Sequence, residues 1–437
     1  MKQSLNILIL FLTSIHLCFS QSLSEQVGKS LVAVGDGWSG NSINVNIFRK
    51  NSLTSFQNTQ FIAYYDSLGY VVLGKRFLNE NTWEMRQTSL KGNIRDAHNS
   101  ISIMVDGEGI LHISWNHHDD SLNYTKSRYP LSLELEEKQS MTGINEAKVT
   151  YPQFFKMPSG DLIFMYRDGQ SGRGNLVLNS YDLKQKKWTQ LQNNLIYGEN
   201  ERNAYWQACV DNKGIIHLSW VWRETWDVAS NHDLCYAKSE DGGKTWKQSS
   251  GVQYDLPITL GSAEYICKIP ENSELINQTA MATDTFGQPY IASYWREQGS
   301  DIPQFNIVYQ SKYGWKRLNP NFRKTPFSLS GGGTKRIPIS RPQIIISENN
   351  IPVLIFRDEE RGSKVSIAVC ESIEQDKWVI YDCTDYSVGS WEPSYDTELW
   401  NEQKKLHLFI QNVDQIDGEG ISTMTSQPVS VMELGLN

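Results

Sequence analysis

The sequence predicts an all-β protein folded as a seven-bladed β-propeller, and three observations carry that prediction. Short runs rich in Val, Ile, Tyr and Trp are separated by Gly, Asn, Asp and Ser, whereas Leu-rich helical periodicity is scarce. One strand pattern recurs seven times along the chain. A turn motif that caps tight hairpins stands at Ser239–Trp246.

Each copy of the repeat is a polar turn and then an apolar strand that ends in an aromatic and a charged or amide residue. The first three are "FQNTQFIAYYDS" from Phe56, "VDGEGILHISWNHH" from Val105 and "MPSGDLIFMYRD" from Met157. The others are "VDNKGIIHLSWVWRE" from Val210, "TDTFGQPYIASYWRE" from Thr283, "SENNIPVLIFRDEE" from Ser347 and "NEQKKLHLFIQN" from Asn401. Further strands lie between them, often closed by a tryptophan before a turn: Trp83, Trp188, Trp246, Trp315 and Trp378. A period near 50 residues that holds about four short strands is one propeller blade. A lone four-stranded sheet cannot cover both its faces, but radial stacking covers each with its neighbours and leaves no long open edge. The wider gap between the fourth and fifth copies predicts an insertion near residues 264–279. The segment "SEDGGKTW" fits the S-x-D-x-G-x-T-W Asp-box, whose Ser and Asp cap a turn while the Trp packs between blades. The Asp-box recurs in sialidases and many other propellers and says little about chemistry. A β-helix or a pair of β-sandwiches are the alternative folds.

The chain has 437 residues, enough for two or three ordinary domains or one large β domain. The repeats favour a single propeller over residues 21–437. Residues 1–20 read as an export signal: Lys2 begins it, Leu5 to Phe19 is mostly apolar, and Ser20 ends a cleavage site before Gln21. Leu17 is too large for a lipobox before Cys18. A secreted or periplasmic protein follows, with no later segment able to span a membrane. A net charge of −8 speaks against nonspecific nucleic-acid binding. After the signal, Cys209, Cys235, Cys267, Cys370 and Cys383 are odd in number and widely spaced, which fits buried apolar fillers better than a disulfide framework. A monomer is expected.

Alignment of the copies puts chemically loaded residues at equivalent strand ends. His117 and His118 follow the second copy, Arg167 the third, and Arg223, Arg296 and Arg357 the next three. Such ends converge on one mouth of a propeller's channel, so a basic funnel is expected on an acidic body, suited to an anionic ligand. The competing expectation is that each Arg pairs with its neighbouring acid, as "RDG", "RET", "REQ" and "RDEE" invite. His98 begins the strand that returns, through a turn at Asp106–Gly109, to His118. Tyr151 and Arg167 repeat this arrangement across a turn at Pro158–Gly160. Strand alternation sends His117 to the opposite face from His118, as a packing or loop-anchoring residue.

Two His, a Tyr and an Arg suit β-elimination on a uronic acid. The C5 proton beside the carboxylate is weakly acidic. Arg and a His can neutralise the carboxylate and stabilise the enolate-like intermediate. His or Tyr can remove the proton while the other protonates the leaving oxygen. No cofactor is required for that chemistry. Neither a local carboxylate pair nor a nucleophile elbow stands in the sequence.

On "DAHNSISI", "WNHHDDSLNY", "TYPQFF", "MYRDGQSGRGN", "VWRET" and "NHDLCYAKSEDGGKTW", the chain resembles the seven-bladed polysaccharide lyases, above all the ulvan lyases and the related rhamnose–glucuronate lyases. The resemblance spans the mature chain. It implies cleavage of an acidic, rhamnose-containing polysaccharide at the uronate, leaving an unsaturated sugar, with His98, His118, Tyr151 and Arg167 as the catalytic set. His98 and Tyr151 would be the proton-transfer pair, with the base undecided between them. His118 and Arg167 would neutralise the carboxylate. Arg223, Arg296, Arg357 and Asn99 are the expected substrate-binding residues. A related group of rhamnose hydrolases carries a histidine in a W-S-G-H-type segment. Here "GDGWSGNSINV" has Asn41, which cannot act as a general base at neutral pH.

Cys209, His217, His232 and Cys235 offer the donors of a structural zinc or calcium ion, or else form ordinary blade core. The glycine-rich "LSGGGTK" from Leu329 lacks the strand-to-helix context of a phosphate cradle and is expected as a loop over the funnel. The rival functions are elimination at the terminal uronate of an oligosaccharide, a noncatalytic carbohydrate-binding propeller, and a sialidase-like hydrolase.

Overall fold

All seven repeat segments become inner strands of separate antiparallel sheets in the computed structural model, which describes residues 28–47, 51–171, 173–278 and 280–436. The strands are Thr59–Tyr65, Leu111–Trp115, Leu162–Asp168, Ile216–Arg223, Pro289–Arg296, Pro352–Phe356 and Leu406–Gln411. Nearly every residue in them is buried, because neighbouring blades cover both faces of each sheet. Outer strands such as Glu84–Lys91 face solvent and carry the charge.

The ring closes through the chain's early residues. Lys29–Gly37 pairs with Gln427–Leu434, which pairs with Leu406–Gln411, so both ends of the described chain build the seventh blade. Its core joins Val32 to Leu53 and Ile62 of the first blade and to Val353 and Ile367 of the sixth. The remaining apolar clusters each bridge consecutive blades. A β-helix and paired sandwiches are thereby ruled out.

The Asp-box forms as its sequence requires. Asp241 accepts from Thr245 Oγ1 at 2.7 Å, Ser239 Oγ accepts from Gly243 N at 2.8 Å, and Trp246 is fully buried between the third and fourth blades. The expected insertion moves upstream. Glu264–Cys267 is the outer strand of the fourth blade, and the extra residues are 240–263, the elaborated hairpin before it. The five cysteines of the described residues are all free thiols. No helix is long and apolar enough to cross a membrane. The expected export signal at residues 1–20 lies outside the described residues.

Candidate active site

The site begins with two segments that leave their ladders. The strand ending at Trp115 stops because Asn116 takes a left-handed φ of 62°. After it, His118–Asp120 crosses to the third blade, where His118 pairs with Thr150 and Asp120 with Val149. His117 and His118 are therefore parted by a backbone break rather than by simple strand alternation. His117 is buried, its Nε2 accepts from Asn123 N at 2.7 Å, and burial pulls its pKa down to about 3, so it anchors the loop as a neutral ring.

The second departure is at Tyr151. Pro152 has no N–H to give the ladder, and the register slips by one residue between Thr150 and Gln153. Tyr151 takes a φ of 57°, a left-handed conformation that a bulky residue holds only under constraint. The bulge re-aims its ring toward His98, with ring centres 6.0 Å apart.

His98 and His118 stack with centroids 4.0 Å apart. One carboxylate holds both: Asp96 Oδ1 lies 2.8 Å from His98 Nδ1, and Oδ2 lies 2.6 Å from His118 Nδ1. Glu419 Oε1 lies 3.3 Å from the same His98 nitrogen. Burial alone would lower the His98 pKa, but Asp96 and Glu419 outweigh it and raise it to about 9. Burial alone would raise the Asp96 pKa, but the two imidazoles pull it well below the carboxylate range. At neutral pH His98 is thus a cation. Asp96, His98 and His118 have ligand atoms within 4.8 Å of one another and could hold a divalent cation. As arranged, each Nδ1 faces its own carboxylate oxygen at hydrogen-bond distance, which fixes the orientation of both rings.

Arg167 lies over the Tyr151 ring, 4.9 Å from its centre. It is 5 % exposed; Nε donates to Gly169 O at 3.1 Å, and Nη1 has no hydrogen-bond partner. Gly174 makes room for it, since any side chain there would collide with the Arg167 stem. Arg223 stands equivalently over Tyr205, 5.2 Å away, with Nη1 3.4 Å from the phenol oxygen. Neither arginine pairs with its neighbouring acid. Asp168 instead accepts from Asn145, and Glu224 is held by Arg202 at 2.9 Å and His232 at 2.9 Å.

Tyr205 was not among the sequence candidates. Its ring centre is 6.0 Å from that of Tyr151. Burial alone would raise its pKa, but the Arg223 and Arg167 guanidiniums outweigh that and bring it down to about 8. Tyr151 moves up, through burial and then through the neighbouring Tyr205. The signal for Tyr205 was present: it is the third residue of the strand Asn203–Val210 in the fourth blade, as Tyr151 is of Val149–Lys156 in the third, and His98 precedes the matching strand of the second.

Other candidates sit elsewhere. Arg296 follows the competing expectation and pairs with Glu274 at 2.6 Å, with further bonds to Asn272 O and Ser300 O. Arg357 is buried and donates to three backbone carbonyls, those of Trp391, Pro338 and Ile337. Asn99 is buried and donates to Asn93 O at 3.1 Å, bracing the loop that carries His98. Asn41 braces a neighbouring turn through Ile94 O at 2.8 Å. Cys209, His217, His232 and Cys235 do not converge on an ion. His217 pairs across from Cys209 and His232 from Trp222, and five residues of strand separate those levels by about 16 Å. His217 Nδ1 bonds Tyr236 Oη at 2.7 Å, and Cys235 is blade core. The glycine-rich loop does reach the mouth, where Thr334 N donates to Glu419 at 3.0 Å and Thr334 Oγ1 lies 3.5 Å from His98. A separate cavity of about 560 Å³ lies at the hairpin-turn end of the blades, lined by Pro158, Asp211, Asp284 and the helix Thr397–Gln403, and includes none of the site residues.

Comparison with solved structures places the fold. The polysaccharide lyase Uly1 superposes with a TM-score of 0.64 at 14% identity, covering 88% of this chain and 90% of that one. An ulvan lyase of family PL25 superposes with a TM-score of 0.66 at 13% identity, covering 90% of this chain and 97% of that one. That ulvan lyase has also been solved bound to -[GlcA(1-4)Rha3S]-. At such identities the likeness establishes the seven-bladed scaffold. No curated protein matches by sequence. A family model described as BNR repeat-containing family member matches residues 59–322, more than half of the sequence, and the chain belongs to that family.

Proposed function

We propose that the protein is a polysaccharide lyase that cleaves an acidic polysaccharide at a uronic acid by β-elimination, with ulvan as the expected substrate. The observation that carries this is Arg167: a buried cation with an unpartnered Nη1 and no acidic partner among the described residues, set above a tyrosine whose ring centre is 6.0 Å from that of an imidazolium. A buried charge without a counter-ion is costly, and a substrate carboxylate supplies the missing partner. Arg167 binds that carboxylate, and the positive charge of the His98 imidazolium helps to stabilise the charge that develops when C5 loses its proton.

The Tyr151–Tyr205 pair provides the base. Two guanidiniums make one phenol of the pair acidic enough to ionise near neutral pH. His98 is held protonated and so cannot be the base; it donates from Nε2 to the leaving glycosidic oxygen. His118, fixed by Asp96, orients the sugar from the other side of the stack. Elimination forms the C4–C5 double bond, the C5 proton goes to the phenolate, and the leaving oxygen takes the His98 proton. A site built for binding alone has no use for an acidified phenol. An export signal at residues 1–20 suits a polymer too large to enter a cell. The lyases of the same fold lend the substrate class.

The test is incubation with ulvan and with unsulfated rhamnose–glucuronate polymer. Ultraviolet absorbance of an unsaturated uronate, lost in Tyr205→Phe and Arg167→Ala, is the expected result. New reducing ends without that absorbance would mean hydrolysis and sink the proposal.

A further inference from the structure

The phenols of the tyrosine pair are sealed from bulk water: Tyr151 is 7% exposed and Tyr205 3%. A base that takes a proton from carbon must give it up before the next turnover. The neighbours of the phenol decide how that proton leaves.

Among the described residues, two side chains lie at hydrogen-bond distance from Tyr205 Oη, Arg223 Nη1 at 3.4 Å and Ser171 Oγ at 3.3 Å. A guanidinium donates without accepting, so it holds a phenolate but takes no proton from it. A hydroxyl does both, and either oxygen of the Ser171–Tyr205 contact can be the donor. Ser171 is exposed, so it meets the buried phenol on one side and solvent on the other.

The loop that carries Ser171 is fixed on both arms. It leaves the strand Leu162–Asp168 and returns at Asn175. Asn203 Oδ1 accepts from Gly174 N at 2.7 Å, and its Nδ2 donates to Gln170 O at 3.4 Å. Gln170 Nε2 donates to Asp119 Oδ2 at 3.2 Å. Asn203 is buried and stands two residues before Tyr205 on the strand Asn203–Val210. The strand that supplies the phenol thus also holds the hydroxyl against it. Among the described residues the Ser171 hydroxyl bonds to Tyr205 and to nothing else.

We propose that Ser171 is the proton exit of the base: its hydroxyl stabilises the ionised phenol of Tyr205 and, after each elimination, passes the proton taken from C5 to solvent. The proposal rests on the reading of the Tyr151–Tyr205 pair as the base. In one concerted shift the Tyr205 O–H bond breaks, its proton bonds to Ser171 Oγ, and the Ser171 proton leaves to a water molecule or buffer base outside. Ser171 ends as the neutral alcohol and Tyr205 as the phenolate. Ser171 acts through Tyr205 rather than on the sugar, and is a positioning residue.

The test follows unsaturated product from ulvan with the full-length chain. Ser171→Ala is expected to lower kcat about tenfold with KM changed by less than about twofold. Raising the buffer concentration at fixed pH and ionic strength restores kcat in that variant and leaves the wild type unchanged, because a small base then takes the proton directly. Ser171→Thr keeps the hydroxyl and most of the activity. In Ser171→Ala the acid limb of kcat/KM moves to higher pH, since the phenolate has lost a hydrogen bond. An unchanged kcat in Ser171→Ala, or a loss that neither buffer nor threonine restores, overturns the exit while the base stands. No unsaturated product from the wild-type enzyme removes the base, and the exit with it.

Discussion

Asp96 governs the protonation of the site, because both histidines hang on its two oxygens. The pH dependence follows in sign. The base requires an ionised phenol, so activity rises as pH climbs through about 8, the value at Tyr205. The acid requires a protonated His98, so activity falls as pH passes about 9. A bell with its top between those values is expected in kcat/KM. Asp96→Asn removes the negative charge that stabilises the imidazolium, so the alkaline limb moves to lower pH and kcat drops about 10²-fold or more. An alkaline limb that stays in place in Asp96→Asn shows that another group is titrating. Much of this cluster was legible in the sequence, since His98, His118, Tyr151 and Arg167 fall at equivalent strand ends. Glu419 was not, because it arrives from a loop near the chain's end whose path depends on ring closure. Arg296 and Arg357 show the limit of positional analogy. They occupy the same strand-end position as Arg167, but Glu274 claims one and three carbonyls claim the other.

Among the elements, the helix Thr397–Gln403 is the exception in an all-β chain, and its N-cap explains its place. Asp396 Oδ1 accepts from Leu399 N at 3.0 Å, while Oδ2 accepts from Ser55 Oγ at 2.6 Å and Gln60 Nε2 at 2.8 Å. One buried carboxylate thus caps the helix and ties the seventh blade to the first. Asp396→Ala is expected to lower stability by about 2–4 kcal/mol, as a lost cap plus stranded buried donors. Denaturant unfolding checks this, and a change under 1 kcal/mol contradicts the assigned role. The inner hairpins were readable because each repeats the same turn, strand and aromatic. The bulge at Tyr151 was also written in the sequence, through Pro152, whereas the crossing of His118–Asp120 to the next blade was not. A crossing between sheets depends on which neighbour lies alongside, and local pattern carries no record of that.

At the scale of the molecule, closure by Lys29–Gly37 holds the mouth in shape. Removing that strand leaves the seventh blade with an open edge, takes Val32 out of its core and uncovers Val429 and Val431. Deletion of residues 28–37 is expected to lower the melting temperature by roughly 10 °C or more and to expose the sixth and seventh blades to protease first. Unchanged melting contradicts this account of closure. Ring count and blade order were legible from seven repeats, but closure was not, because the early strand resembles none of the copies. The ring delivers residues as far apart in sequence as Asp96 and Glu419, 323 positions, to one mouth. Elimination, rather than hydrolysis, is the reaction proposed for this mouth. The mass of the smallest products from ulvan tests it most directly. Elimination adds no water, so the expected oligosaccharides are one water lighter than hydrolysis would release and carry an unsaturated uronate at the non-reducing end. Products of the full hydrolytic mass would contradict it.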